Sequence, residues 1–154
     1  MKVIIGADHA GFTYKGILIK AMEENGYDVF DAGTYNSEPD DYPDRAAEVA
    51  QALTEKQADR GILICGSAVG VSIAANKFRG IRAGACHDTY SAHQCVEHDD
   101  TNILCIGERV IGIELAKDIV FTYLKASYIP THSHQARLDK ISAIEDKSMI
   151  KASL

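Results

Sequence analysis

The hydrophobic and polar positions along the chain follow two alternating patterns. Short apolar runs are typical of strands buried on both faces of a parallel sheet, and longer segments with apolar residues every three or four positions are typical of amphipathic helices. The predicted strands are 2–7, 27–31, 61–65, 81–86 and 102–107. The predicted helices are 12–24, 41–53, 71–78, 89–97, 110–124 and 133 to about 147. This alternation predicts a single α/β domain over residues 1–154, with a five-stranded parallel sheet covered on both faces.

The segment 61–77 combines a strand, a loop of small residues and the start of a helix. Backbone N–H groups converge at such a place and can bind an anion, and Cys65 lies at the carboxyl end of the strand, where ligands bind in open α/β sheets. The loop from Gly66 to Gly70 has neither the Gly-Lys-Ser/Thr ending of a Walker A loop nor the glycine spacing of a dinucleotide site. Two interpretations therefore stay open, an anion-binding loop and a tight turn that needs glycine.

Charge and composition narrow the choice of partners. The formal charge of −6 over 154 residues argues against nucleic acid or an anionic membrane surface as the main partner. No apolar run approaches the ~18 residues of a membrane span, and residues 1–3 lead directly into the first strand, so no signal peptide is expected. The four cysteines form no Cys-x-x-Cys pair, which indicates free thiols in a reducing compartment, the cytoplasm.

Four short polar segments follow the predicted strands, and the carboxyl ends of parallel strands meet at one edge of a sheet. They are Asp8-His9, Cys65 to Gly70, Cys86-His87-Asp88 and Glu108-Arg109. Each alone could be a turn former, but together they are expected to bring an acid, an imidazole, a thiol, an anion loop and a guanidinium into one crevice. Cys65 itself is interpreted as either a buried packing residue or a thiolate that acts as nucleophile or general base.

Two charged positions outside the crevice have two interpretations each. His98 precedes the fifth strand, at the end of the sheet opposite the crevice, and is either structural or part of a neighbouring subunit's site. Arg137 on the last helix is either a surface charge or an arm that reaches a site. The tail after Ile144 is expected to fray or to contact a neighbour.

The cysteines and histidines of the central segments do not predict a metal site. Their spacing matches no standard zinc ligand set; the residues are Cys86, His87, His93, Cys95 and His98. No metal and no cofactor are therefore expected. The three thiols other than Cys65 are interpreted as packing residues.

Five motifs resemble one enzyme family in their order and spacing. They are Asp8-His9-Ala10-Gly11, Asp41-Tyr42-Pro43, the segment from Ile64 to Lys77, His98-Asp99-Asp100-Thr101-Asn102 and His134-Gln135-Ala136-Arg137. Over residues 3 to about 146 the chain resembles ribose-5-phosphate isomerase type B, whose wider family includes the galactose-6-phosphate isomerase subunits. The resemblance implies a Rossmann-like three-layer α/β/α sandwich and a homodimer or dimer of dimers. It also implies shared active sites and a C-terminal helix that extends to a partner subunit.

The resemblance further implies an activity, the metal-free interconversion of ribose 5-phosphate and ribulose 5-phosphate through a cis-enediolate. In that reaction Cys65 would be the base, and Ser67, in place of the family's usual threonine, would assist proton transfer at the oxygens. His98 would help to open the furanose ring. The residues implied to bind substrate are Asp8, His9, Tyr42, Gly66, Ala68, Val69, Gly70, Asp99, Arg109 and Arg137.

Three positions depart from the family pattern. The family usually has glycine at Ala68, asparagine at Asp99 and arginine at Ser133. The last two changes make the pocket less favourable to a dianion, so a tetrose phosphate, a hexose phosphate or a free sugar is kept as an alternative substrate. A non-catalytic module that binds phosphate or a nucleotide is kept as an alternative of a different class, because a parallel α/β fold alone does not determine function.

Overall fold

The computed structural model describes the backbone of residues 1–152 and the side chains of residues 1–148. It contains a five-stranded parallel sheet with the strand order β2-β1-β3-β5-β4. The strands are β1 (Lys2–Ala7), β2 (Asp28–Asp31), β3 (Arg60–Cys65), β4 (Ala83–Ala85) and β5 (Ile103–Gly107). The helices are α1 (Phe12–Glu24), α2 (Tyr42–Thr54), α3 (Val69–Ala75), α4 (Thr89–Asp99), α5 (Ile113–Lys125) and α6 (His132–Ala152).

Helices cover both faces of the sheet. Side chains alternate along β3, so Ile62 and Ile64 pack with α1, α4 and α5, whereas Leu63 and Cys65 pack with α2 and α3. Both layers are apolar because a parallel sheet buries its two faces. The predicted α/β sandwich with a five-stranded parallel sheet is therefore confirmed.

The strand order determines where a ligand can enter. From β1 the chain crosses to β2 on one side, and from β3 the sheet continues to β5 and β4 on the other. The order thus reverses between β1 and β3, and open α/β sheets bind ligands at the carboxyl ends of strands at such a switch point. Asp8 follows β1 at this point, and Cys65 ends β3.

Several element boundaries differ from the sequence predictions for local reasons. Helix α3 ends at Ala75 because the N–H groups of Lys77 and Phe78 bond three residues back, as in a tight turn. Helix α5 begins at Ile113 because residues 107–110 form a turn closed by the Val110 N–H and the Gly107 carbonyl. Helix α6 continues through Ala152, beyond the predicted end near residue 147. Residues 153–154 of the predicted tail lie outside the described residues.

Strand β4 is shorter than its prediction, and two asparagine side chains bind the chain at its start in addition to the Asn102 and Ile103 N–H groups, which donate to the Arg82 carbonyl. The Arg82 N–H donates to the Asn102 side-chain oxygen (2.8 Å), and the Ala83 N–H donates to the Asn76 side-chain oxygen (2.8 Å). The Asn76 amide nitrogen donates in turn to the carbonyls of Ser72 and Ala83, both at 2.9 Å. One asparagine thus connects the end of α3 to the start of β4.

No helix in the described part of the chain is both long enough and apolar enough to cross a membrane.

Candidate active site

A cavity of about 470 Å³ opens at the carboxyl ends of β1, β3 and β5. The last residue of β3, the loops that follow β1, β3 and β5, the first turn of α3 and the first residue of α2 line it. The lining residues are Asp8, His9, Ala10, Tyr42, Cys65, Gly66, Ser67, Gly70, Arg109 and Val110. The cavity thus brings together an acid, an imidazole, a phenol, a thiol, a hydroxyl and a guanidinium.

The Cys65 thiol is buried at the end of β3, with 5% of the residue exposed. The Ala68 N–H donates to its sulfur at 3.2 Å. The Cys65 carbonyl accepts from the Glu108 N–H at 2.9 Å. This bond ties the end of β3 to the residue that follows β5 and so fixes the backbone of Cys65. An N–H dipole aimed at the sulfur is oriented to stabilise negative charge there. This arrangement suits a thiolate base.

The loop after Cys65 is tightly built. Ala68 adopts the left-handed conformation, with φ 70° and ψ −16°, and turns the chain into α3. The Ser67 hydroxyl is exposed toward the cavity mouth and accepts from the Val69 N–H at 3.4 Å. A Cβ on Gly70 would lie 2.7 Å from the Tyr42 ring, so only glycine allows that ring to close over the loop.

Asp8 and His9 are held in place by the backbone around them. Asp8 is buried, and its Oδ1 accepts from the Ala10 N–H at 2.9 Å. The Nδ1 atom of His9 accepts from the Asp40 N–H at 3.3 Å. Because Nδ1 is the acceptor, Nε2 carries the proton of the neutral ring and is free to donate.

Arg109 follows β5 and packs against the loop that follows Cys65. Its N–H donates to the Gly66 carbonyl at 3.1 Å, and its side chain passes over Gly66, where a Cβ would meet it at 3.5 Å. The β5 end also approaches closely, because a Cβ on Gly107 would lie 2.9 Å from the Ser67 backbone. The Arg109 side chain is exposed, which leaves its guanidinium available to an anion.

One predicted crevice segment, Cys86 to Asp88, does not contribute to this cavity, and neither does Glu108 of the last segment, so that part of the prediction is wrong. Strand β4 is at the sheet edge and is separated from β3 by β5, so Cys86, His87 and Asp88 fall outside the lining. Asp88 instead caps α4, and His87 Nε2 accepts from the Gly107 N–H at 3.0 Å. The Glu108 carboxylate accepts a hydrogen bond at 3.0 Å from the N–H of Tyr14 on α1.

A second group of predicted residues lies away from the cavity of its own chain. His98 is in the last turn of α4, which leads to the amino end of β5, whereas the cavity is at the carboxyl end. Its ring stacks on His134 with 4.2 Å between ring centroids, and its Nδ1 lies 2.8 Å from the Gln94 amide nitrogen. Arg137 is exposed on α6, one turn beyond His134. His98 and Arg137 therefore form a separate group near the start of α6.

Asp99 lies in a different depression from the Cys65 cavity. It lines a second cavity, of about 590 Å³, together with Lys77 and with Ile141 and Glu145 of α6. Within the residues that the structure describes, no group of three or more His, Cys, Asp or Glu side chains is arranged to hold a metal ion.

Two lining residues, Ala10 and Val110, were not predicted from the sequence. They carry no polar side chain, so their residue type gives no signal. Their positions do give one, because each follows a predicted polar residue at a strand end.

The fold and the cavity together define a Rossmann-like α/β protein with a polar, thiol-bearing site at the switch point of its sheet. The family model described as Ribose/Galactose Isomerase matches residues 3–141, and the chain belongs to this family. It is 49% identical to ribose-5-phosphate isomerase B of Escherichia coli (strain K12), over 95% of this chain and 97% of that protein.

Two further comparisons agree with this assignment. The chain is 40% identical to D-erythrulose-4-phosphate isomerase 2 of Mycolicibacterium smegmatis, over 94% of this chain and 97% of that protein. The structure of Clostridium thermocellum ribose-5-phosphate isomerase B superposes with a TM-score of 0.94 at 47% identity, covering 96% of this chain and 99% of that one.

The family resemblance predicted from the motifs is thus confirmed, and the chain is an enzyme, an aldose–ketose isomerase of sugar phosphates. The alternative of a non-catalytic binding module is wrong.

Proposed function

We propose that this enzyme interconverts ribose 5-phosphate and ribulose 5-phosphate through a cis-enediolate, with Cys65 as the base. The observation that carries the proposal is the buried Cys65 sulfur at the switch-point cavity, with the Ala68 N–H 3.2 Å away. Removal of a proton α to a carbonyl needs a positioned base and stabilisation of the oxyanion that forms. A thiolate beside a loop of backbone donors supplies both.

The proton transfers follow from the positions of Cys65 and Ser67. The Cys65 thiolate removes the proton from C2 of the open-chain aldose, and the electron pair forms the C1=C2 bond of the enediolate. The backbone N–H groups between Gly66 and Gly70 stabilise the negative charge on its oxygens. The Ser67 hydroxyl carries a proton from O2 to O1, and the Cys65 thiol returns its proton to C1 to give the ketose.

The remaining cavity residues bind the substrate in this proposal. The buried Asp8 carboxylate accepts from sugar hydroxyls, and the Tyr42 ring closes one side of the pocket. The His9 Nε2–H and the exposed Arg109 guanidinium bind the phosphate, since guanidinium groups match phosphate oxygens with paired donors. Because the chain carries a formal charge of −6, it repels a phosphate dianion overall, and binding of the phosphate depends on these two local donors.

We also propose that the protein is a homodimer or a dimer of dimers in which His98, Asp99 and Arg137 serve the partner's cavity. His98 and Arg137 cannot contribute to the Cys65 cavity of their own chain, because they lie toward the opposite end of the sheet. Val69 and Ile73 on α3, beside the cavity mouth, are 55% and 57% exposed, which fits a surface that a second subunit covers. In the shared site, His98 opens the furanose ring and Arg137 adds a second cation for the phosphate.

A tetrose phosphate is the second candidate substrate. Ser133 replaces the arginine of the family pattern and Asp99 replaces its asparagine, so the partner's contribution to the pocket is less cationic. The relative from Mycolicibacterium smegmatis is named for D-erythrulose 4-phosphate, a sugar phosphate one carbon shorter, which supports this candidate. A tetrose phosphate is one carbon shorter than a pentose phosphate and would need fewer contacts from the segments that carry Asp99 and Ser133.

Isomerase assays of wild type and Cys65→Ala test the proposal. Formation of ribulose 5-phosphate from ribose 5-phosphate is expected, and kcat of Cys65→Ala should fall by roughly 10²–10⁴-fold because the proton-transfer base is missing. The matched control is Cys95→Ser, which replaces a thiol outside the cavity and should keep wild-type activity.

The same assay with a panel of tetrose, pentose and hexose phosphates separates the two candidate substrates. The highest kcat/KM for ribose 5-phosphate supports the first, and the highest value for the tetrose phosphate supports the second. Wild-type turnover by Cys65→Ala would remove Cys65 from the role of base.

A further inference from the structure

Cys86 and Cys95 bring their sulfur atoms within 3.9 Å of each other in a region that the proposed isomerisation does not use. Cys86 directly follows β4, and Cys95 lies on α4, which packs against that edge of the sheet. Both are free thiols in the structure. The described lining of the Cys65 cavity includes neither of them.

The two thiols differ in exposure and in protonation. Cys86 is only 3% exposed, whereas Cys95 is partly exposed on α4. The Cys86 thiol donates a hydrogen bond to the Cys95 sulfur. This bond holds the pKa of Cys95 below its ordinary value of 9.0, and the same bond, together with burial, raises the pKa of Cys86. Because the thiolate is the form that reacts with oxidants, Cys95 is the reactive member of the pair.

We propose that Cys86 and Cys95 are an oxidative modification site and form a reversible intrachain disulfide when the protein meets a hydroperoxide. The Cys95 thiolate attacks one oxygen of the hydroperoxide ROOH, the O–O bond breaks, and the alcohol ROH leaves with a proton. The Cys86 sulfur then displaces the hydroxyl of the Cys95 sulfenic acid, and its proton leaves with that hydroxyl as water. Two thiols lose two electrons in total, and one hydroperoxide becomes an alcohol and water.

The geometry permits this bond with a local adjustment. The sulfur atoms must close from 3.9 Å to about 2.05 Å. Apart from Cys86, the Cys95 sulfur contacts the Ala92 carbonyl at 3.4 Å and the Thr101 side chain. Both contacts involve only the side chain of Cys95, which rotates toward Cys86 as the bond forms. The loop closed by the bond, residues 86–95, contains the whole amino-terminal part of α4.

The other two cysteines are less suited to the same chemistry. Cys105 is completely buried, and burial raises its pKa well above its ordinary value of 9.0, so it is a thiol without access to an oxidant. Cys65 is held by the Ala68 N–H in the substrate cavity, which substrate fills during turnover. In a reducing cytoplasm the Cys86–Cys95 bond is transient, because cellular thiols reduce it again.

Hydrogen peroxide treatment followed by peptide mapping tests the proposal on the intact protein. The treated protein is denatured, free thiols are alkylated, and digestion with trypsin plus an Asp-specific protease puts each cysteine on its own fragment. The fragments are 61–77 with Cys65, 83–87 with Cys86, 88–98 with Cys95 and 100–109 with Cys105. Fragments 83–87 and 88–98 are expected to be linked, with two alkylated cysteines remaining and all four recovered after dithiothreitol.

Two variants identify the reactive sulfur. Cys86→Ser, whose hydroxyl keeps a donor beside the Cys95 sulfur but cannot form a disulfide, is expected to accumulate a sulfenic acid at Cys95 that a cyclic 1,3-diketone traps, and Cys95→Ser is expected to leave Cys86 unmodified. Cys65→Ser, a matched loss of another thiol, should leave the 83–87 to 88–98 link intact. Linkage of a different pair, a bond between two chains, or oxidation of Cys95 to the sulfinic acid with no link would each overturn the proposal.

Discussion

Ala68 shows how a single backbone conformation shapes the loop that carries Cys65. The left-handed conformation costs a residue with a Cβ roughly 1–2 kcal/mol, and glycine avoids that cost. Here alanine occupies the position, and its methyl group is completely buried among the residues of α2 and α3. Burial of the methyl, about 0.8 kcal/mol, offsets part of the strain. Alanine in place of the family's usual glycine therefore carries a small net cost in folding free energy, which the fold tolerates.

Substitutions at Ala68 should separate these two effects. Ala68→Gly should change the free energy of unfolding by less than about 1 kcal/mol, because relief of strain is balanced by the lost methyl and a more flexible unfolded chain. Ala68→Val should lower the free energy of unfolding by roughly 2 kcal/mol or more, since a β-branched side chain fits poorly at positive φ and overpacks a full core. Denaturant unfolding measures both, and a valine variant as stable as wild type would contradict the left-handed conformation.

At the scale of elements, the sequence predicts the central strands of the sheet better than its edge. Asp8, Cys65 and Arg109 were correctly expected at one cavity, because parallel strands place their carboxyl ends together whatever their order. His87 and Asp88 were misplaced because the hydrophobic pattern does not contain strand order, and β4 is at the edge. The side-chain contacts at the start of β4 come from residues far away in sequence, such as Asn102, which no local pattern contains.

Helix α4 is the element whose start is most clearly determined by one side chain. Asp88 accepts from the Ser91 N–H at 2.7 Å and from the Ser91 hydroxyl at 2.8 Å. The backbone N–H, and then the hydroxyl, hold the pKa of Asp88 below its ordinary value of 3.8. The folded-state pKa is therefore depressed, so this stabilisation is complete above about pH 4 and is lost as pH falls through the folded pKa.

Asp88→Ala should lower Tm by roughly 2–4 °C at neutral pH, because an N-cap acceptor is lost. The difference in Tm between wild type and Asp88→Ala should shrink as the pH falls below 4. Asp88→Asn is the control, because it keeps an acceptor that does not titrate in this range and should remain close to wild type at pH 7. A wild-type Tm for Asp88→Ala at neutral pH would show that the cap does not support α4.

At the scale of the whole molecule, the residues proposed for catalysis form two groups in one chain. The group around Cys65 lies at the carboxyl edge of the sheet, and the group of His98, His134 and Arg137 lies near the start of α6. The proposed dimer brings the first group of one subunit to the second group of the other. Each site then needs two chains.

Mixed dimers of two inactive variants should therefore regain activity. When Cys65→Ala and His98→Ala proteins are denatured together and refolded, half of the dimers contain one chain of each kind. Each of these has one site with both residues intact, so the mixture should reach about a quarter of wild-type activity. Steady-state assays of the refolded mixture measure this.

Two controls accompany the mixing experiment. Each variant refolded alone should stay inactive, and wild type refolded in the same way should recover full activity. A mixture as inactive as its components would mean that Cys65 and His98 act within a single chain or not at all.

The Asn76 side chain has a consequence for how the protein ages. Both ends of its amide are in use, since the nitrogen donates to the Ser72 and Ala83 carbonyls and the oxygen accepts from the Ala83 N–H. Spontaneous deamidation would turn the nitrogen into a second acceptor that faces those two carbonyls, and the aspartate formed could no longer hold both. The loss of these two hydrogen bonds would weaken the connection between α3 and β4, while the Ala83 N–H could still donate to an aspartate oxygen. Ageing by deamidation would therefore act first on the contact between α3 and β4 and leave the pairing of β4 with β5 in place.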